Sequence, residues 1–522
     1  MARLRTAAGF ALAVVPFLAL CSTAFDYVPL WDARIYADCI LHAAHHGTFP
    51  TNYSCADHPT HAYALLLSLP LQFGSTSYVG MIVVDLLLGL VALWAFWDLA
   101  RLAFPETAQD SALLVACLGM MPVLVAGTLN VNPDYGVMVC LLLLLRALLR
   151  ESLLGVQLAG LALVFCKETG LLLLGLAVGL HALLFALRTP EQRARWREWL
   201  PRYAAAFTGL PLLVLWFLHK PKDPAAQGSL WLGNSLGGLL KLVFRVDLFD
   251  PVFVAQLMSM FLLQFAWIPT LFALTRWLPR LWTLRRRWPL PSSAALYLQL
   301  CFAGVVFVFT RYPTFINPRY FLPAWPLLLL CAWAALSTFR PLVRRGALLV
   351  MAVAFLAGNF RSIDPVSRAI WGTFPFGDHE LYELTSFTGE CCGRSRDQLV
   401  YNLEHVELHR LQDRLYAVAP PSRLMPLVAN EMADWYFVGF LSPTQKQRTL
   451  DPSALLFHTV PPLQLMRLPQ SHRPARILYV KFPNLRDQDS ELQALTRFYQ
   501  PRETVRVEHD GYALEALVME KR

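Results

Sequence analysis

Apolar runs long enough to cross a bilayer dominate the first 359 residues. A helix needs roughly 20 apolar residues to cross about 30 Å of hydrocarbon. Runs of this kind begin near Gly9, Tyr78, Ala112, Tyr135, Leu171, Tyr203, Phe253, Ala294, Tyr320 and Arg345, and a shorter one covers Leu153–Cys166. Counting the short one, about eleven spans are expected. Composition agrees: 56% of the residues are hydrophobic and 16% charged, against about 45–50% and 25% in a soluble domain. An ordinary soluble enzyme and a disordered chain are both excluded.

The basic residues orient these spans. With Arg3 and Arg5 on the cytoplasmic side, the cytoplasmic loops carry 18 Lys and Arg and the opposite loops carry 8. The alternation holds from loop to loop, and omitting the short fifth run breaks it. The formal net charge of +9 is thus mostly arginine that fixes insertion, not a nucleic-acid surface. The first run also resembles a signal peptide, with basic residues up to Arg5 and Ser22-Thr23-Ala24 at its end. The later alternation favours an uncleaved span.

After about residue 360 the apolar runs stop. An odd number of spans puts this tail outside, and its 19 basic and 20 acidic residues make it nearly neutral. Arg476–Phe482 reads as a strand. Thr504–Glu508 and Tyr512–Met519 flank His509-Asp510-Gly511, a hairpin signal, and Leu399–Val418 has helical spacing. The expected fold is an all-α polytopic membrane portion over residues 1–359, with a first outer loop at about 26–77. A small extracytoplasmic α/β domain over 360–522 follows it. No internal repeat is visible.

Polar groups at a membrane face are expensive, and each is a functional candidate. The first outer loop is richest, with Asp26, Asp32, Arg34, Asp38, His42, His45, His46, Asp57, His58 and His61. On a helix Asp32, Tyr36 and Cys39 share a face. A carboxylate there can take a proton from an acceptor hydroxyl, or simply be a solvated group or helix cap. Asn132-Pro133-Asp134 before the fourth span reads as a site or as an N-cap and turn. Lys167-Glu168 reads as a phosphate-binding lysine or as a salt bridge. Arg311-Tyr312 and Asn317-Pro318-Arg319-Tyr320 read as phosphate clamps or as interfacial snorkelling. The topology places all of these groups on one outer face. Such a set suits a base plus cationic clamps for a phosphate leaving group.

Histidine spacing permits a metal, and Asp32 or Asp57 with His58 could hold a divalent ion; ordinary loop histidines are the plainer reading. Cys21, Cys117, Cys140, Cys166, Cys301 and Cys331 read as packing residues. Cys39 and Cys55 share the first outer loop and could pair in an oxidising compartment. Cys391-Cys392 is an adjacent pair in the tail. Asn52-Tyr53-Ser54 is a sequon.

These residues resemble the GT-C membrane glycosyltransferases, in particular the protein O-mannosyltransferase and lipid A aminoarabinose transferase branches. Asp32-Ala33-Arg34-Ile35-Tyr36-Ala37-Asp38 is similar to that family's Asp-Glu-x-x-Tyr-Ala-Glu loop after the first span, with Ala33 in place of the second acid. His58-Pro59-Thr60-His61-Ala62-Tyr63 resembles its His-Pro-Pro-Leu-Tyr stretch, a segment lying on the membrane. Asn132-Pro133-Asp134, Lys167-Glu168-Thr169-Gly170 and Arg319-Tyr320-Phe321-Leu322-Pro323 resemble later family motifs, in order. The resemblance covers about residues 7–359.

It implies a polyprenyl-phosphate sugar as donor and Asp32 as the base that activates a lipid, glycan or protein acceptor, with inversion. Lys167, Arg311 and Arg319 would hold the leaving phosphate. Arg34, Tyr36, Asp38, His58, Asp134, Glu168 and Tyr320 would shape the pocket. A bacterial inner membrane is the expected location. Other readings are a ligase or polymerase of lipid-linked glycans, or a transporter or scaffold, though a transporter is expected to show repeats.

Overall fold

The computed structural model describes residues 2–25, 32–45, 60–73, 78–187, 196–219, 251–284, 294–311, 318–361, 364–371, 373–382, 403–422, 424–429, 462–481 and 488–522. The helices up to residue 360 are α1 (Ala2–Ser22), α2 (Asp32–His45), α3 (His61–Gln72), α4 (Tyr78–Ala103), α5 (Ser111–Gly119), α6 (Pro122–Leu129), α7 (Pro133–Leu149) and α8 (Leu153–Val164). They continue with α9 (Thr169–Ala186), α10 (Trp196–Ala206), α11 (Leu210–His219), α12 (Pro251–Leu262), α13 (Trp267–Leu284), α14 (Ala294–Arg311), α15 (Ala324–Leu336) and α16 (Pro341–Phe360). Each apolar run of the sequence contains a helix, and the short Leu153 run is a helix of its own.

α4, α9 and α16 are long and apolar enough to cross a membrane singly. Two runs are broken helix pairs instead of straight spans. The run from Ala112 bends by 60° between Gly119 and Pro122. There Pro122 opens α6 and Met121 before it is extended, as the residue before a proline prefers. The run from Phe253 bends by 114°. Gln264 and Phe265 stand there at φ 52° and 65°, and the fully buried Asp364 holds the bend. Its carboxylate accepts from the Phe265 N–H at 3.3 Å and from Trp267 Nε1 at 3.0 Å. It also accepts from the N–H groups of Val366 and Ser367 at 3.1 and 3.0 Å.

Charged clusters mark one end of the bundle. At the C-terminal end of α4, Asp98 is paired by Arg146 of α7 at 2.7 Å and by Arg150. Asp110, just before α5, is paired by Arg344 and, at 2.7 Å, by Arg345 of α16. Arg146 also lies over the Trp94 ring at 4.0 Å. α4 and α7 therefore run the same way, and their N-terminal ends lie together at the opposite end, about 18 Å away along α7.

The tail holds α17 (Pro365–Trp371), α18 (Glu404–Val418), α19 (Pro462–Arg467) and α20 (Gln488–Thr496) with strands β1 (Thr373–Phe376), β2 (His379–Tyr382), β3 (Leu427–Ala429), β4 (Arg476–Lys481), β5 (Tyr499–His509) and β6 (Tyr512–Lys521). β1 and β2 form a hairpin. The other four make a sheet in the order β3-β4-β6-β5, with β3 parallel to β4 and the remaining pairs antiparallel. The hairpin expected at His509-Asp510-Gly511 closes through Asp510 at φ 47° and Gly511 at φ 81°, the pattern of a tight hairpin turn. The expected helix and strand at Leu399–Val418 and Arg476–Phe482 correspond to α18 and β4.

The sheet is docked on the helix ends. The Leu403 N–H donates to the Asn359 carbonyl at 2.7 Å. Tyr512 donates to the buried Glu404 carboxylate, and Arg361 lies 3.9 Å from it. Burial, followed by the Glu404 charge, pushes the Tyr512 phenol above its usual range, so it remains a donor. A cavity of about 310 Å³ lies at this junction, lined by Thr23, Phe360, Arg361, Glu404, Glu407 and Tyr512 among others.

Candidate functional site

Three sequence segments converge at the end of the bundle opposite the Asp98 and Asp110 clusters. Asn132 caps α7: its side-chain oxygen accepts the Asp134 N–H at 3.0 Å, with Pro133 at the first helical position. That cap fixes Asp134 in the first turn. Lys167 sits in the short turn between α8 and α9. The turn is tight because Gly170 packs against the Leu163 carbonyl, where a Cβ would collide with backbone oxygen. Arg319 and Tyr320 stand on a single 3-10 turn, Pro318–Phe321, before α15.

These segments bring Asp134, Lys167 and Arg319 together. Lys167 Nζ lies 2.9 and 3.0 Å from the two Asp134 oxygens, and Arg319 Nε lies 3.8 Å from Asp134 Oδ2. All three are buried, at 2%, 3% and 5% exposure for Asp134, Lys167 and Arg319. The Tyr320 ring lies 4.8 Å from the Lys167 ammonium and 5.2 Å from the Arg319 guanidinium. Its face attracts both cations, and Arg319 Nη2 donates to its hydroxyl at 3.4 Å. Two buried cations thus share one buried carboxylate, and the half-buried Glu168 adds its field to that of Asp134 on Lys167. In a low-dielectric surrounding such an arrangement favours an anion.

A second buried network braces this site. Tyr63 of α3 donates to both oxygens of Asp85, at 2.9 and 2.8 Å, and accepts the Asn132 N–H at 3.1 Å. Tyr135 donates to the Asp85 carbonyl at 3.2 Å, and its hydroxyl oxygen lies 2.9 Å from that of Thr128. The Ala62 N–H donates to the Phe165 carbonyl at 3.0 Å. A Cβ added to Gly136 would lie 2.8 Å from the Tyr63 ring and 3.2 Å from Cys166 Sγ, so α3, α7 and the Lys167 turn are in contact. The sequence reading passed over Asp85, although a single carboxylate inside an apolar run is a usable signal.

Of the other expected site residues, Asp32, Arg34, Tyr36 and Asp38 lie on the helix α2, within the segment expected as the first outer loop. Tyr36 is buried. The side chains of Asp32, Arg34, Asp38 and Arg311 lie outside the described residues, as do Asp57, His58, Cys55 and the Cys391-Cys392 pair. The metal reading on Asp32, Asp57 and His58 falls there too; among the described residues no three His, Cys, Asp or Glu side chains gather to hold an ion. Cys39 is disulfide-bonded. Cys21, Cys117, Cys140, Cys166, Cys301 and Cys331 are buried free thiols.

No family model matches the sequence. No curated protein matches it either. Its fold does match solved structures. ArnT from Cupriavidus metallidurans bound to undecaprenyl phosphate superposes with a TM-score of 0.53 at 14% identity, over 99% of this chain and 98% of that one. The apo state of the same protein gives 0.53 at 15% identity, with the same coverage. The chain therefore shares the fold of ArnT, which the sequence resemblance led one to expect over about residues 7–359 and which the match carries into the tail. The chain is a multi-pass integral membrane protein.

Proposed function

We propose that the protein is an inverting glycosyltransferase that moves a sugar from a polyprenyl-phosphate donor to an acceptor on the outer face of a membrane, the bacterial inner membrane fitting best. The observation that carries this is the buried Lys167–Asp134–Arg319 cluster at the end of the bundle away from the arginines paired with Asp98 and Asp110. It stands in a fold whose solved neighbour holds undecaprenyl phosphate.

Lys167 and Arg319 stand side by side as buried cations, and the single negative charge of a polyprenyl phosphodiester would interact with both. Asp32 would take the proton of the acceptor hydroxyl as its oxygen attacks the anomeric carbon from the face opposite the phosphate. The carbon–oxygen bond to phosphate breaks, and its electron pair leaves with the polyprenyl phosphate. The leaving group gains a second negative charge as this happens. Lys167 and Arg319, with Arg311 as a third cation, would therefore interact more strongly with the transition state than with bound donor, which is the condition for acceleration. Tyr36, Arg34, Asp38, His58, Glu168 and Tyr320 would shape the surrounding pocket. Residues 360–522 would form an outer-face domain over the acceptor, with the 310 Å³ cavity at the junction as its seat. Cys55 would be the disulfide partner of Cys39, tying the first outer loop.

Asp32→Asn tests the base. Sugar transfer should fall by at least about 100-fold, while the purified variant binds undecaprenyl phosphate as the parent does. Full transfer by the variant would contradict the mechanism.

A further inference from the structure

On and beside the segments that build the cation cluster, Thr60 Oγ1, Asn132 Nδ2 and Thr169 Oγ1 are buried without a hydrogen-bond partner among the described residues. Their residues are 1%, 2% and 1% exposed. Leaving such a group unmade costs about 1–3 kcal/mol, so buried orphans in a native protein call for a reason. The usual outlets are not used here. Thr60 stands at the N-cap of α3 yet makes no capping bond. Elsewhere in the bundle, buried threonines bond back to the carbonyl four residues earlier, as Thr128 does to Leu124 at 2.8 Å and Thr270 to Ala266 at 2.8 Å. Thr169 opens α9 and makes no such bond. Asn132 spends its oxygen on the cap of α7, which leaves its amide N–H₂ as the spare donor.

The three residues sit on the segments that build the phosphate cluster. Asn132 is two residues from Asp134, and Thr169 is two from Lys167. Thr60 is two residues before Ala62, which is bonded to Phe165 beside the lysine turn. We infer that Thr60, Asn132 and Thr169 form the subsite for the hydroxyl groups of the sugar that the donor carries. Two hydroxyls, each donor and acceptor, and one amide donor complement a neutral polyol; the charged cluster beside them suits the phosphate. This inference rests on the donor class proposed above and adds the residues that discriminate the sugar.

The test uses the full-length purified protein, with undecaprenyl phosphate and undecaprenyl phosphates bearing a hexose or a pentose as probes. The variants are Thr60→Val, Thr169→Val and the valine variant that combines them, all of which keep shape. The valine variant should melt at or above the parent temperature without ligand. Each variant should bind undecaprenyl phosphate within about twofold of the parent. At least one sugar-bearing lipid should bind the parent more tightly than the bare lipid, and that advantage should shrink by about tenfold per bond removed. Equal loss for bare and sugar-bearing lipids, a lowered melting temperature in the valine variant, or no sugar advantage in the parent would overturn the inference. Failure of the parent to bind undecaprenyl phosphate would instead overturn the donor class.

Discussion

Asp134 connects the cap of α7 to the charge balance of the site. Its backbone N–H is held by Asn132, and its carboxylate faces Lys167 and Arg319. The sequence offered a site and a helix cap as competing readings of Asn132-Pro133-Asp134; the cap is observed, and the same turn presents Asp134 to Lys167 and Arg319. In Asp134→Asn two buried cations lose their carboxylate, which is expected to cost about 3–5 kcal/mol. Thermal unfolding without lipid should show that loss, and saturating undecaprenyl phosphate should recover part of it by supplying an anion. An unchanged melting temperature would show that the cluster is not the charge-coupled unit described. Lys167 was read as pairing with Glu168 or with a phosphate, yet its bonded partner is Asp134. Nothing in the sequence measures the approach of residues 33 apart, and only folding brings them within 3 Å.

Element boundaries were legible where periodicity or turn chemistry controls them. The 3.6-residue pattern pointed to α18, and Asp510-Gly511 to the β5–β6 hairpin. The bend between α12 and α13 was not legible. It depends on Asp364, about 100 residues away, accepting the Phe265 N–H and the Trp267 Nε1–H at a break with no glycine or proline in it. The turn carrying Lys167 depends similarly on the bare backbone of Gly170 against Leu163. Gly170→Ala should displace this turn and weaken undecaprenyl phosphate binding by about tenfold or more. Gly175→Ala lies on the same helix with nothing within 4 Å of an added Cβ. It should leave binding unchanged and stabilise α9 by about 0.5–1 kcal/mol. Equal effects from the two would remove the turn from the account.

At the scale of the whole molecule, the arginine pattern was the most informative part of the sequence. Its fourth-span and last-loop arginines gather on Asp98 and Asp110 at one end, and the Asp134 cluster lies at the other. Membrane-impermeant maleimide on intact cells should therefore label Leu463→Cys in the tail and spare Leu342→Cys at the start of α16, both exposed positions. The reverse pattern would invert the topology. The sugar and the acceptor were not legible, because no charged or aromatic motif specifies them.

The central claim is that Lys167 and Arg319 form the seat of a lipid phosphate, and affinity for undecaprenyl phosphate tests it most directly. The parent protein in nanodiscs should bind this lipid more tightly than undecaprenol. Lys167→Ala and Arg319→Ala should each weaken lipid phosphate binding by about 10–100-fold and erase the preference over undecaprenol. Unchanged affinity in both variants, or equal binding of the phosphate and the alcohol by the parent, would contradict the account.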